Sequence, residues 1–324
     1  MRNLKKFLAL VLAMMMTFSL MITVNAASKF TDAESITTEF NEAVAVLEGL
    51  KVFEGYPDGT FGPKKDITRA EAATIVYRLA TGDVKGDKAH LYKDYGTFTD
   101  VTSDHWAAGY INYCANAEWI AGYGNGKFGP NDKVTGYQAA AMILRAVGYG
   151  KNNEFKGSGW QVQVANFSRT LGLLKNVNKT TYANTLNQAA PRELVAEILF
   201  QAGLIDTVTW TQLGGYRPGN PVQGAGTVSY GLAWQNFGLN VGSYQVIDKW
   251  GRPGYYWYKN NTNNYANRVA TIELKPVLDL KGKAVKECDV AHELDISDSD
   301  TFELYVNNYQ SSTDKYMIEA TDTV

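Results

Sequence analysis

Cysteine and histidine are nearly absent from this sequence, at two and three residues in 324. Cys114 and Cys288 fall in different regions, without the Cys-x-x-Cys or Cys/His spacing that builds a metal site. An exported chain can join two such thiols. The simpler reading is two unpaired or buried thiols, with Cys114 on the apolar side of a helix. Basic excess is missing too: 31 Lys and Arg stand against 33 Asp and Glu, a formal charge of -2. Nucleic-acid binding, which needs a basic face, is therefore excluded. No nucleophile or metalloenzyme motif occurs, so no catalytic residue and no cofactor is expected.

Apolar runs are confined to the start. Arg2, Lys5 and Lys6 precede an apolar stretch over residues 7–22 and a small-residue site at Val24, Asn25 and Ala26. That is the pattern of a secretory signal peptide over residues 1–26, cut after Ala26. Its core is shorter than the roughly 20 residues a membrane helix needs, and no later stretch approaches that length. A secreted protein without a membrane span after signal removal is expected.

Against these absences stands one repetition. Residues 55–79, GYPDGTFGPKKDITRAEAATIVYRL, return without a gap at residues 122–146 as GYGNGKFGPNDKVTGYQAAAMILRA. Gly55 and Gly122, Phe61 and Phe128, and Arg78 and Arg145 are each 67 residues apart, the signature of a reused supersecondary unit. Pro57, Asp58 and Gly59 predict a tight turn, as do Gly124, Asn125 and Gly126. The second copy has no carboxylate there, which leaves Asp58 free for other work. Thr68 with Glu71, and Thr135 with Gln138, read as capping boxes that open a helix.

Arg69 is harder to place, because a cation in the first helical turn faces the positive end of the helix dipole, at a cost of about 0.3–1 kcal/mol when exposed. Two readings remain open. The guanidinium and the first helical amides could together receive a carboxylate or another oxyanion, or the side chain could pair with a surface acid such as Asp66.

The stretch resembles the S-layer homology repeat, whose hallmark is a GYPDGTF turn followed by an ITRAE helix start; residues 55–61 and 67–71 carry both intact. The resemblance implies three repeats folded into a helical prism that anchors proteins to secondary cell-wall polysaccharide, often bearing pyruvate ketals. It also implies that the TRAE arginine lies in the binding grooves.

The first repeat, residues 30–82, opens on Phe30, Thr31 and Asp32, with a first helix of about 14 residues carrying Ala43, Val44, Val46, Leu47 and Leu50. The second, residues 98–150, opens on Phe98, Thr99 and Asp100 and continues with His105, Trp106 and Ala107, similar to the family's first-helix start. Trp106 reads either as a core anchor or as one wall of a sugar-binding groove, and His105 as a cap or a packed surface residue. Gly136 replaces the arginine, so this copy's anion site should be weak or absent. A degenerate third repeat spans residues 157–204. Its first helix covers residues 160–174, residues 176–187 replace the turn, and Arg192 aligns with Arg69 after Pro191, a normal helix start. Val76, Leu144 and Leu199 are the expected shared core.

Beyond residue 211 the composition shifts to Gly-punctuated runs rich in Tyr, Val, Trp and Ile: residues 227–234, 243–247, 255–258, 268–274, 302–306 and 315–320. A small β-rich region over residues 211–324 is the expectation, in a chain that reads as a fragment of something longer. Tyr255, Tyr256, Trp257 and Tyr258 fit sugar stacking, although strand alternation would bury half of them.

The expected fold class is mainly α-helical repeats, three packed as a pseudo-threefold prism, followed by that β-rich region. The expected function is non-enzymatic wall attachment at the bacterial cell surface through Arg69 and Arg192, helped by Asp58, Lys65, Tyr56 and Trp106. Two alternatives stand: a surface-layer protein that self-associates through its β-rich part, or the anchor of a hydrolase. Against the second, the only histidine past residue 211 is His292, the acids Asp289, Asp295 and Asp298 read as a solvated loop, and about 110 residues is small for a catalytic domain.

Overall fold

The computed structural model describes residues 30–219, 231–242, 245–246, 253–261, 265–273, 303–310 and 315–323. It divides into two compact units. The helical unit, residues 28–240 with 257–270, holds α1 (Asn41–Gly49), α2 (Arg69–Thr81), α3 (Asp87–His90), α4 (Ala108–Asn116), α5 (Gly136–Val147), α6 (Trp160–Thr170), α7 (Arg192–Leu204) and α8 (Leu232–Phe237). A hairpin of β1 (Val208–Thr211) and β2 (Gly215–Pro218) lies between α7 and α8. The other unit takes in residues 241–256 and 271–324. There Gln245 and Val246 pair antiparallel with Gly254 and Pro253, and Glu303–Gln310 pairs antiparallel with Lys315–Thr323.

Both predicted capping boxes are present. Thr68 accepts the Glu71 amide while the Glu71 carboxylate accepts that of Thr68, and Thr135 and Gln138 repeat the exchange. Gly82 and Gly148 close these helices in the left-handed conformation, at φ 70° and 116°, where glycine carries no Cβ penalty. α7 has no side-chain cap. Its first donors are satisfied from elsewhere: the Arg192 amide donates to Lys65 O (2.9 Å) and that of Glu193 to Pro63 O (3.2 Å).

That exchange belongs to a larger pattern. The three segments just before α2, α5 and α7 hydrogen-bond to one another in a ring. Ile67 N–H donates to Ala190 O (3.0 Å), Ala190 N–H to Val134 O (2.8 Å), and Val134 N–H to Ile67 O (3.1 Å). All three residues are fully buried. Around this ring α1 packs on α7, α4 on α2, and α6 on α5. Each outer helix thus covers an inner helix from a different pair. Val76, Leu144 and Leu199 are buried in the shared core, as expected, and Cys114 is a buried free thiol. Cys288 lies outside the described residues, as do His292, Asp289, Asp295 and Asp298.

Some elements differ from expectation. α1 is nine residues, preceded by a 3-10 turn at Thr38–Phe40, and α6 stops at Thr170. Residues 227–230 lie outside the described residues, and the expected strand after them is α8, entered from extended Gly231 and ended by left-handed Gly238. In the tyrosine-rich run Tyr256 is buried. Within the helical unit the Trp257 indole N–H donates to Glu42 Oε1 (2.6 Å), and its ring meets Phe200 edge-on at 5.6 Å.

One buried acid gives the helical unit a pH signature. Glu197 on α7 is 1% exposed, and its Oε1 accepts Asn176 Nδ2 (2.9 Å) and Gln201 Nε2 (2.8 Å). Burial pushes its carboxyl from an ordinary 4.5 up to about 7, and nearby Glu42 acts in the same direction. The native state therefore holds a proton that the unfolded chain releases. The resulting stability is fully present below pH 4.5 and is lost as pH rises through 7. Glu197→Gln is expected to flatten this decline and to exceed wild type in urea midpoint at about pH 8; unchanged pH dependence would exclude Glu197 as its source.

Candidate functional site

The repeated turn is stapled from two directions. Tyr56 N–H donates to Thr60 O (2.8 Å) and Gly59 N–H to Tyr56 O (2.9 Å), with Gly59 at φ 83°. Asp58 has work within the turn itself. Its Oδ1 accepts the Thr60 amide (2.9 Å) and hydroxyl (2.6 Å), and this bonding holds its carboxyl below the ordinary range. Asn125 Oδ1 accepts the Lys127 amide in the same way (3.1 Å), so the turn needs the oxygen rather than the charge. From the other side, Asp32 accepts the Phe61 and Gly62 amides at 2.7 and 2.8 Å. Asp100 does the same for Phe128 and Gly129, both at 2.8 Å. Burial raises the Asp100 carboxyl, but the two amides outweigh it and leave the group below its usual value.

Each arginine reaches into the turn of another repeat. Arg69, 4% exposed, donates from Nε to Phe128 O and from Nη2 to Ala121 O, both at 2.8 Å. Its guanidinium lies 4.7 Å from the Tyr123 ring centre and 4.6 Å from that of Phe128. Arg192, 6% exposed, donates to Phe61 O and Glu54 O at 2.9 Å and stacks 4.8 Å from Tyr56. Its Nη1 sits 3.6 Å from Glu71 Oε1. Burial draws both guanidinium groups below their ordinary value.

This geometry corrects the dipole argument. An oxyanion receptor needs free helix amides, but the Arg69 and Ala70 amides donate to Asp132 O and Pro130 O, and that of Glu71 to Thr68 Oγ1. The negative potential that holds each arginine comes from carbonyl oxygens and ring faces of the neighbouring turn, joined for Arg192 by the Glu71 carboxylate. Asp66 is not its partner.

Two open clefts flank these turns. The first, of about 580 Å³, is lined by Tyr56, Lys65, Asp66, Glu71, Trp106 and Lys133 among others. Its size falls within the roughly 300–1,000 Å³ of small-ligand clefts. Trp106 is 60% exposed, so it is not a core anchor; His105 stacks beside it and accepts the Ala107 amide on Nδ1. Lys65 Nζ lies 4.2 Å from the Tyr56 ring centre, and Lys133 Nζ donates to Asp66 O. The second cleft, of about 260 Å³, is lined by Arg69, Tyr123, Gln138, Arg145, Lys156 and Trp160 among others.

The family model of the S-layer homology domain matches residues 29–73 and 97–140. The chain carries S-layer homology domains at these two stretches. It is 35% identical to a cell surface protein of Thermoanaerobacter kivui over 179 residues, 55% of this chain and 22% of that protein. It is 32% identical to the middle cell wall protein of Brevibacillus brevis over 184 residues, 57% of this chain and 16% of the other. A cellulosome-anchoring protein of Acetivibrio thermocellus is 34% identical over 111 residues, 34% of this chain and 24% of that protein. The chain thus spans less than a quarter of the length of each of these relatives.

In the S-layer homology region, Tyr56, Lys65 and Trp106 meet in one cleft with Arg192 behind Tyr56. Arg69 belongs to the other cleft, and Asp58 lines neither. Tyr123, Arg145, Lys156 and Trp160 were missed. The 67-residue offset from Tyr56 and Arg78 marks two of them. Arg192→Ala is expected to lower stability by on the order of 3 kcal/mol in urea unfolding, because two charge-assisted bonds go and buried carbonyls lose their donors. Arg192→Lys should recover less than half, since an ammonium cannot fork to both oxygens. Unchanged stability in the alanine variant would return Arg192 to the role of a ligand contact.

Proposed function

We propose that this chain holds an exported protein at the bacterial cell surface by binding acidic secondary cell-wall polysaccharide in its two clefts. The observation that carries this reading is Trp106, a large indole left 60% exposed beside Lys65 and Lys133 in an open cleft. A flat ring offers apolar contact to a sugar face, and lysine ammonium groups on flexible stems meet acid substituents, including pyruvate ketals. Arg192 adds positive potential from behind the first cleft, and Arg69 lines the second. The match to the S-layer homology domain and the relatives named for the cell surface, the cell wall and anchoring support the same reading. So does the ring of backbone bonds at Ile67, Val134 and Ala190, which suits a prism of three repeats with residues 157–204 as a degenerate third. The role is attachment rather than catalysis.

The test is co-sedimentation with purified cell-wall sacculi, before and after removal of the secondary polymer. Wild type should bind only polymer-bearing sacculi. The double variant Trp106→Ala, Lys65→Ala should bind about tenfold more weakly, ~1.4 kcal/mol, with an unchanged urea midpoint, because both side chains are largely outside the core. Equal binding to stripped sacculi would defeat the proposal.

A further inference from the structure

We propose that the helical unit carries two wall-binding clefts and not three, because the third junction is filled by the chain's own carboxylate, Glu193. This rests on the wall-binding reading above and fixes its valency. The contacts run in one direction around the ring. Arg69 of the first pair supports the second turn, and Arg192 of the third pair supports the first turn. The remaining step, from the second pair to the third, is where Gly136 stands in the arginine position. A side chain there would crowd the facing segment: a Cβ would lie 2.9 Å from Leu186 Cδ2 and 3.0 Å from Leu186 O. Leu186 belongs to the segment that replaces the repeated turn, and its carbonyl accepts the Tyr137 amide (3.0 Å). The lost arginine and the lost turn are therefore two sides of one contact, and Gly136 leaves the second turn, held by Arg69, intact.

The space at this junction is occupied. Glu193 is fully buried, and its carboxylate accepts the Thr37 amide (2.8 Å) and hydroxyl (2.7 Å), Lys64 Nζ (2.5 Å) and the Tyr182 hydroxyl (2.6 Å). Lys64 stands 67 residues before Asn131, which lines the first cleft, so the two occupy matching places around the ring. The Tyr182 ring stacks on Phe40 at 5.9 Å and roofs the site. A cation, a phenol, a hydroxyl and an amide converge on one carboxylate that the protein supplies itself, leaving no place for an acid group of the polymer.

Titration calorimetry on the full chain decides it, using polysaccharide released from purified sacculi and fractionated to chains too short to bridge two clefts. Wild type should bind two chains per protein, and Trp106→Ala and Trp160→Ala one each. Three sites in wild type, or a single site in wild type that either variant abolishes, would overturn the inference while leaving wall binding intact. No heat and no sedimentation with sacculi would overturn both. In a separate arm, Glu193→Ala should lose stability and regain part of it in acetate but not in chloride at equal ionic strength. Equal effects of the two salts would mean that the junction is not a carboxylate receptor, and would also overturn the inference.

Discussion

Backbone carbonyl oxygens of one repeat satisfy the donors of another, and the helical unit depends on that exchange. The donors at the start of a helix have no partner within it and must find one outside. Here they find carbonyls in a neighbouring segment: Asp132 and Pro130 for α2, Lys65 and Pro63 for α7, Leu186 for α5. A helical pair removed from its neighbours would leave these groups to water and expose the apolar side chains that now pack between pairs. The ring at Ile67, Val134 and Ala190 makes the dependence mutual, so burial, capping and chain crossing are secured by the same few atoms.

The arginines follow from this arrangement. A guanidinium at the start of a helix opposes the dipole in isolation, but the turn beside it presents carbonyls already aimed at the junction. Arg69 and Arg192 each bind two of them and lie against ring faces. Two forces then act on one side chain: fork geometry fixes its plane, and stacked tyrosine and phenylalanine rings shield it from water. Tyr56, held from behind by Arg192 and faced by Lys65, is in turn fixed as a wall of the open cleft.

Local features of this fold were legible in the sequence. The turns, both capping boxes and the apolar stripe through Val76, Leu144 and Leu199 follow from residue type and spacing, because each is decided within a few residues. The destination of a long side chain was not. Nothing near Arg69 indicates that its partners lie more than fifty residues away, and the reading that joined it with free helix amides in an oxyanion receptor did not foresee that the Arg69 and Ala70 amides are bonded across the junction. Trp106 illustrates the same limit. Indole is as common in cores as in grooves, and only the packing of α4 on α2 leaves this one at the surface. Residues 227–234 read as strand by composition, but Leu232–Phe237, flanked by Gly231 and Gly238, is a short helix.

The segment over residues 176–187 is informative for the same reason. Were each turn self-sufficient, it could change without consequence elsewhere. Because a turn is held by an arginine from another pair, altering residues 176–187 removes the carbonyl sites that such an arginine needs, and an unpartnered guanidinium buried at the junction would be costly. Glycine at position 136 relieves that cost, and Leu186 moves into the space. The junction is then free to be sealed by Glu193 and Lys64, whose buried carboxylate is tolerable only because four donors converge on it. Loss of the turn, loss of the cation and gain of the internal ion pair are thus one physical change distributed over three parts of the chain.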